Sequence, residues 1–400
     1  MTLSANLLPR DLWPIYEKVM MDQRLSAEDG IKLLESDDLY AVGALANEAR
    51  HRRVGDYVYF NNNAHINYSN VCALWKVCKF CAFGKQSKVD PEGYTYTIEQ
   101  MVEKAKGYAR LGVTEFHMVG GLHPDMPFEY YTDFISAIKA AVPQAHLKCF
   151  TAVELDFFTR KFKMPIEEVL HRLREAGHGS ITGGGAEMFH PEVHDVICKG
   201  KMPGSRYLEI HRIAHQMGIR STCTMMYGHV EQPRHVVDHM LKLREVQDDA
   251  PAGGGETAFI PLAFHPTNTD MADYPGPTGV YDLKLISVAR LLLDNIKAIK
   301  SYWVMISPRI AQISLAFGAN DVDGTVREEK IYHFAGAQTP MLQQQQDLLR
   351  IIREAGRVPV ERDSLYNVLK VHDQVFRGDP RGDGDLSSAG DRPGKAEVRA

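Results

Sequence analysis

The chain has 400 residues, 44% of them apolar and 24% charged, with a formal net charge of −5. This is the composition of a globular protein with a core to bury, and the acidic balance argues against a protein that coats duplex nucleic acid. No apolar run approaches the roughly 18 residues of a membrane span, and Arg10 and Asp11 stand where a secretory signal needs apolar residues, so a cytoplasmic protein with no membrane partner is expected.

Residues 1–50 read as helical: Ile31 and Leu34, then Val42, Leu45 and Ala46, recur at helical spacing in a charged background. From Asp56 the texture turns β-branched and aromatic (VYF, then HINYSNV), followed by a cysteine-rich loop over 71–88. Thr97 and Gln100 form a capping-box pattern, and Ile98, Met101, Val102, Ala105, Tyr108 and Ala109 trace one helical face that Gly112 ends. The strand VTEFHMV runs into Gly120-Gly121. The unit then recurs: helix 128–141 and strand 146–150, helix 165–176 (opened by Pro165, closed by Gly177) and a strand near 178–182. Helix 205–217 and strand IRSTCTM, helix 233–246 and strand ETAFIPLAF, helix 281–295 and strand SYWVMI follow, with a last helix around Arg309–Phe317.

Strands alternating with helices at this pitch imply parallel β-structure with crossover helices. The expected fold is therefore α/β, a TIM-type (β/α) barrel, full or partial. A doubly wound sheet fits less well, because no G-x-G-x-x-G opens an early helix. The expected organisation is a helical N-terminal extension over 1–50, a barrel core over 51–320 and a C-terminal extension over 321–376 packed on the barrel. A disordered tail over 377–400, rich in Gly, Asp, Pro and Ser, would complete the chain.

Of six cysteines, Cys72, Cys78 and Cys81 crowd one loop as C-x5-C-x2-C, while Cys149, Cys198 and Cys223 are scattered. After a first barrel strand, such a loop lies at the C-terminal mouth, where catalytic parts gather. Three thiolates on a short loop can hold three corners of a 4Fe–4S cluster and leave the fourth iron without a protein ligand. Zinc completed by Cys149 or a histidine stays open on spacing alone.

The blocks HINYSNVC (65–72), CKFCAF (78–83), GGLHPDMPFEYY (120–131), FTAVELDFF (150–158) and GGGAEMF (183–189) occur in one order. TMMYGHVE (224–231), FIPLAFHPTNT (259–269), DGTVREEKIYHFAGA (323–337) and GRVPVERDSLYN (356–367) follow them. On these blocks the chain resembles the radical S-adenosylmethionine (SAM) enzymes, and within them the aminodeoxyfutalosine synthases of the futalosine route to menaquinone, over about residues 56–367. The superfamily's usual loop is C-x3-C-x2-C; the two extra residues after Cys72 add little closure entropy. The resemblance implies a 4Fe–4S cluster on Cys72, Cys78 and Cys81, with an open iron that chelates SAM, and an external one-electron donor of flavodoxin or ferredoxin type. It implies addition of the 5′-deoxyadenosyl radical to the vinyl carbon of 3-[(1-carboxyvinyl)oxy]benzoate, giving 6-amino-6-deoxyfutalosine, methionine and bicarbonate. SAM is consumed in that reaction, which makes the enzyme a transferase. The hydrogen-abstracting cyclic dehypoxanthinyl futalosine synthase and the partner subunit of FO synthase share several blocks, although PFEYY, FTAVELDFF and VPVERDSLYN favour the adenosyl-transferring family. A non-catalytic iron–sulfur carrier or a zinc-stabilised binding protein is the alternative of another class.

Gly120-Gly121 matches the position where the superfamily holds the SAM amino group by backbone, and Glu154 and Glu187, each after a strand at the mouth, are candidates for the ribose hydroxyls. A substrate with two carboxylates calls for positive or hydrogen-bonding groups, and His123, His229, His265, Asn268 and Arg309 lie in or beside the matching blocks. Taken singly, each of these five reads first as a satisfied structural polar group. Tyr227 and Tyr302-Trp303 read as core, and Met225-Met226 as gap filling.

Overall fold

The computed structural model describes residues 3–86 and 90–372; the expected tail over 377–400 and the last residues of the C-terminal extension lie outside them. Eleven strands are formed among the described residues: β1 (Tyr57–Asn61), β2 (Asn63–His65), β3 (Glu115–Met118), β4 (His146–Thr151), β5 (Ser180–Thr182), β6 (Ser221–Tyr227), β7 (Glu256–Ala263), β8 (Ala298–Ile299), β9 (Asp321–Gly324), β10 (Val358–Arg362) and β11 (Val368–Val371). β2 to β8 form one sheet in sequence order, all pairs parallel, with helices crossing over its outer face. This is the curled sheet of a partial TIM-type barrel, as the strand–helix alternation predicts.

The second sheet, ordered β11-β10-β1-β9, is not evident from the alternation. Its strand β9 spans the gap between the edges of the larger sheet. On one side Ser301 N–H donates to Asp321 O (2.7 Å) and Asn320 N–H to Ile299 O (3.2 Å). On the other, Thr325 N–H donates to Asn61 O and Arg327 N–H to Asn63 O (both 3.2 Å), and His65 N–H to Arg327 O (2.8 Å). β1 and β2 are one strand interrupted at Asn62, so a single stretch of chain serves both sheets.

The helices follow their local signals. Ser26, Thr97 and Thr151 each accept from the backbone N–H three residues on and close a reciprocal capping box with Asp29, Gln100 and Glu154. Helix Ile166–Ala176 buries Val169, Leu170 and Leu173 and stops at Gly177, whose φ of +112° suits glycine alone. The N-terminal helices lie on the barrel's outer helices, close enough that a Cβ on Gly43 would meet the Phe317 ring at 2.4 Å.

Three local expectations change. The apolar run 301–306 is not a strand: β8 is the pair Ala298–Ile299, and Trp303 opens a helix (Trp303–Ser314) interrupted at Ser307, whose φ is +73°. Ser307 precedes Pro308, which disfavours helical backbone in the residue before it. Two helices add to the expected elements: Ala152–Phe162, which runs across the FTAVELDFF block, and Pro191–Cys198, which lies outside every block.

Candidate active site

A cavity of about 260 Å³ opens at the C-terminal ends of the curled sheet, and the cysteine loop forms part of its rim. Cys72, Cys78 and Cys81 all line it; none of Cys149, Cys198 and Cys223, which are buried, does. Burial raises the Cys72 pKa, opposed by the backbone N–H groups of Leu122 and Leu74 that face its sulfur. Burial also raises Cys78, opposed by the ammonium of Lys201. Among the described residues, two groups of three His, Cys, Asp or Glu side chains gather their ligand atoms within 4.8 Å of one another, and the loop cysteines form neither. Three thiols on one cavity wall, with no fourth cysteine among the lining residues, match in number the protein-held corners of a 4Fe–4S cluster with one open iron.

The two glycines after β3 are required by packing. A Cβ on Gly121 would lie 2.3 Å from Val71 O, and one on Gly120 would lie 2.8 Å from Ser69 O. Gly121 N–H donates to Ser69 O at 2.8 Å. The Gly120-Gly121 backbone therefore lies directly against the segment that leads into Cys72, and Gly120 also lines the cavity.

Glu154 holds this contact from the other side. Its Oε1 accepts from Gly120 N–H (3.0 Å) and Tyr68 OH (2.5 Å), and its Oε2 from Thr151 N–H (2.7 Å) and Oγ1 (2.8 Å). Burial pushes its pKa up to about 7 while these donors pull it down. Four donors fill the four lone-pair positions of a carboxylate, so Glu154 has none left for a ribose hydroxyl. Glu187 differs: it is buried with φ +47°, pairs through Oε1 with Lys201, and makes no hydrogen bond to a described residue through Oε2. Lys201 lies over the Phe80 ring, 5.4 Å from its centroid. Burial would lower the Lys201 pKa, but Glu187 and the thiols of Cys78 and Cys198 hold it above the usual lysine range.

Of the groups expected to meet substrate, one lines the cavity. His265 does so, with Nε2 bonded to Met305 O at 3.0 Å. His123 is buried outside the lining, its Nδ1 accepting from Asp125 N–H at 3.1 Å. His229 bonds Met226 O through Nε2 (3.2 Å) and accepts from Val230 N–H through Nδ1 (2.7 Å). Asn268 is exposed and donates to Phe334 O at 2.9 Å, and Arg309 is exposed on the helix after Ser307. These four are brought to loops and helix ends rather than to the cavity wall.

Sequence reasoning missed the interior cations. Lys148, Lys201 and Lys300 line the cavity, with His65, His117 and Asp323. It also missed the C-terminal contribution: Ile331, Tyr332 and Ala335 cover the mouth, where Phe334 meets Phe83 edge-on (5.7 Å) and Tyr332 meets Tyr302 (6.0 Å). Asn268 thus anchors the short helix Ile331–Phe334 over the cavity.

Residues 66–243 match the radical SAM superfamily and residues 253–375 the CofH/MqnC C-terminal region. The chain is 42% identical over 369 residues to an aminodeoxyfutalosine synthase of Thermus thermophilus, covering 91% of this chain and 97% of that protein. It is 40% identical over 343 residues to a 5-amino-6-(D-ribitylamino)uracil–L-tyrosine 4-hydroxyphenyl transferase of Methanopyrus kandleri, covering 84% and 90%. Its fold superposes on the FeFe-hydrogenase maturase HydG of Carboxydothermus hydrogenoformans with a TM-score of 0.68 at 16% identity, over 89% of this chain and 80% of that one.

Proposed function

The chain belongs to the radical SAM superfamily, in the branch with a CofH/MqnC C-terminal region, and from that premise we propose that it is an aminodeoxyfutalosine synthase of menaquinone biosynthesis. Its cofactors are a 4Fe–4S cluster and SAM. Bound together, they would supply reductive cleavage of SAM and transfer of its 5′-deoxyadenosyl group to 3-[(1-carboxyvinyl)oxy]benzoate, with 6-amino-6-deoxyfutalosine and methionine as products and the lost carboxyl group released, on consumption of one water, as bicarbonate. The electron would come from a flavodoxin- or ferredoxin-type donor.

The chain's own residues take the remaining tasks. Cys72, Cys78 and Cys81 would hold the cluster, and with no fourth cysteine among the cavity-lining residues one iron would be left for SAM. Lys201 sets a positive charge beside Cys78 and offsets part of the negative charge of three thiolates. Gly120 presents its backbone to the SAM amino group, and Glu154 acts as a positioning residue that fixes Gly120 and Tyr68. Glu187, with an oxygen left over, takes the ribose hydroxyls. Apolar side chains such as Leu122, Val153, Ile260 and Phe264, with Tyr332 above, exclude water from the reacting carbon.

The observation that carries this reading is a thiol trio opening onto the same cavity as Gly120 and Glu187. The test is incubation of cluster-reconstituted protein with SAM, dithionite and the enolpyruvyl benzoate, followed by mass spectrometry. 6-Amino-6-deoxyfutalosine is expected; 5′-deoxyadenosine released alone would instead assign a hydrogen-abstracting reaction. Cys78→Ala should abolish both the brown iron–sulfur absorbance and all SAM cleavage, whereas an unchanged spectrum would remove Cys78 from the ligand set.

A further inference from the structure

Lys148 of β4 is in register with His117 of β3, and His117 with His65 of β2, so three adjacent strands set one row of basic side chains on the barrel's inner face. All three line the cavity. The imidazoles of His65 and His117 stack at 4.5 Å, and burial holds both pKa values below the ordinary histidine value, for His117 with help from His65 and Lys148.

The cavity's other lysines have carboxylate partners: Lys201 pairs with Glu187, and Lys300 with Asp323 at 2.9 Å. Lys148 is only 4% exposed, yet its Nζ finds no hydrogen-bond acceptor among the described residues, and neither ring nitrogen of His117 has a partner there. The charges facing Lys148 are Glu115 and Asp323 on one side of the balance and Lys300 and Arg362 on the other. Glu115 does not line the cavity and is shared, with Lys300 and Arg362 drawing on it as well. Arg362 already holds Asp321 at 2.8 Å. A buried ammonium with no bonded acceptor, aimed into a ligand cavity, is an incomplete pair.

We propose that Lys148, with His117 beside it, is the subsite for the ring carboxylate of an aryl substrate, an assignment that rests on the substrate class proposed above. Depth selects which carboxylate. Lys148 stands before a bulge at Phe150; its partner Ser180 lies two residues before Thr182, the partner of Thr151, so Lys148 sits about 7 Å of strand beneath the level that Thr151 shares with Gly120 through Glu154. The vinyl carbon must meet the adenosyl group at that upper level. The enol carboxylate sits on the carbon next to it and stays high; the ring carboxylate, across the meta position, reaches down. Lys148 supplies a charge-assisted hydrogen bond and His117 a neutral N–H.

The test is a coupling measurement on cluster-reconstituted protein with SAM and no reductant, so that nothing turns over. Calorimetry gives the affinity of wild type and of Lys148→Met for 3-[(1-carboxyvinyl)oxy]benzoate and for 2-phenoxyacrylate, which lacks the ring carboxylate. Loss of a charged hydrogen bond predicts about 10- to 100-fold weaker binding of the dianion to Lys148→Met and no more than about twofold change for 2-phenoxyacrylate. Lys148→Arg should recover part of the difference. Equal weakening of both ligands, or of neither, overturns the assignment. Wild type alone decides the matter if Lys148→Met does not fold, because equal affinity for the two ligands means the ring carboxylate is not held. The two readings part cleanly: coupling without adenosylated product on adding dithionite removes the proposed reaction and keeps Lys148, product without coupling does the reverse, and binding of neither ligand removes both.

Discussion

Glu154 illustrates how a residue can be found by position and still change its role. Its place after β4 is legible, but lone-pair occupancy is a three-dimensional quantity, and the four donors come from Tyr68, Gly120 and Thr151. Glu154→Gln keeps the shape but presents an amide NH2 to groups that can only donate or that already do. The expected cost is about 1–3 kcal/mol of stability, read from denaturant midpoints. A shift below about 0.3 kcal/mol would mean that the carboxylate is not saturated. Lysine is the residue whose type misleads most, because it signals solvent. Nothing near Lys148 or Lys201 in the chain marks either as interior; strand register places the first and the partner Glu187 the second.

At the scale of elements, signals confined to a few residues were legible and those shared between distant segments were not. The capping box at Thr97–Gln100, the Gly177 stop and the cysteine spacing are local, and each is where the sequence implies. The run 301–306 is also local, but a short apolar stretch suits a buried strand or a buried helix equally. The texture from Asp56 marks β1 itself, but its pairing is out of reach, since its partners are Val358 and Asp321. The join between the Gly120-Gly121 turn and the Cys72 segment makes an element-scale prediction. Gly121→Ala must move Val71 O, now 2.3 Å from where the new methyl would sit, and the loop with it. Overpacking of this kind costs about 1–3 kcal/mol. Iron bound after reconstitution should fall well below wild type, by colorimetric iron and sulfide assay; full iron content would show that the turn and the ligand loop move independently.

Across the whole molecule, charged groups tie the two sheets together beneath the cavity. Glu115 on β3 faces Lys148 on β4, Lys300 after β8 and Arg362 on β10. Burial alone would raise its pKa, but these three cations hold it well below the usual carboxylate value. A depressed folded-state pKa means that the stabilisation is present above the unfolded value of about 4.5 and is lost as pH falls through the folded one. Glu115→Gln should therefore be less stable than wild type at pH 7, and the gap should narrow steadily below about pH 4.5 in urea titrations. A gap that stays constant with pH would show that Glu115 contributes through packing alone.

The doubled strand β1–β2 has a further consequence for biogenesis. Tyr57 pairs with Val358 on one edge of β1, and Asn61 with Gly324 on the other, so β1 has a neighbour on neither side until more than 320 residues have been translated. Throughout that interval a nascent chain carries an unsatisfied row of amides and carbonyls, the kind of edge that recruits chaperones or aggregates. Yield in a foreign host should then respond to translation speed and chaperone supply more than to any single residue of the finished protein.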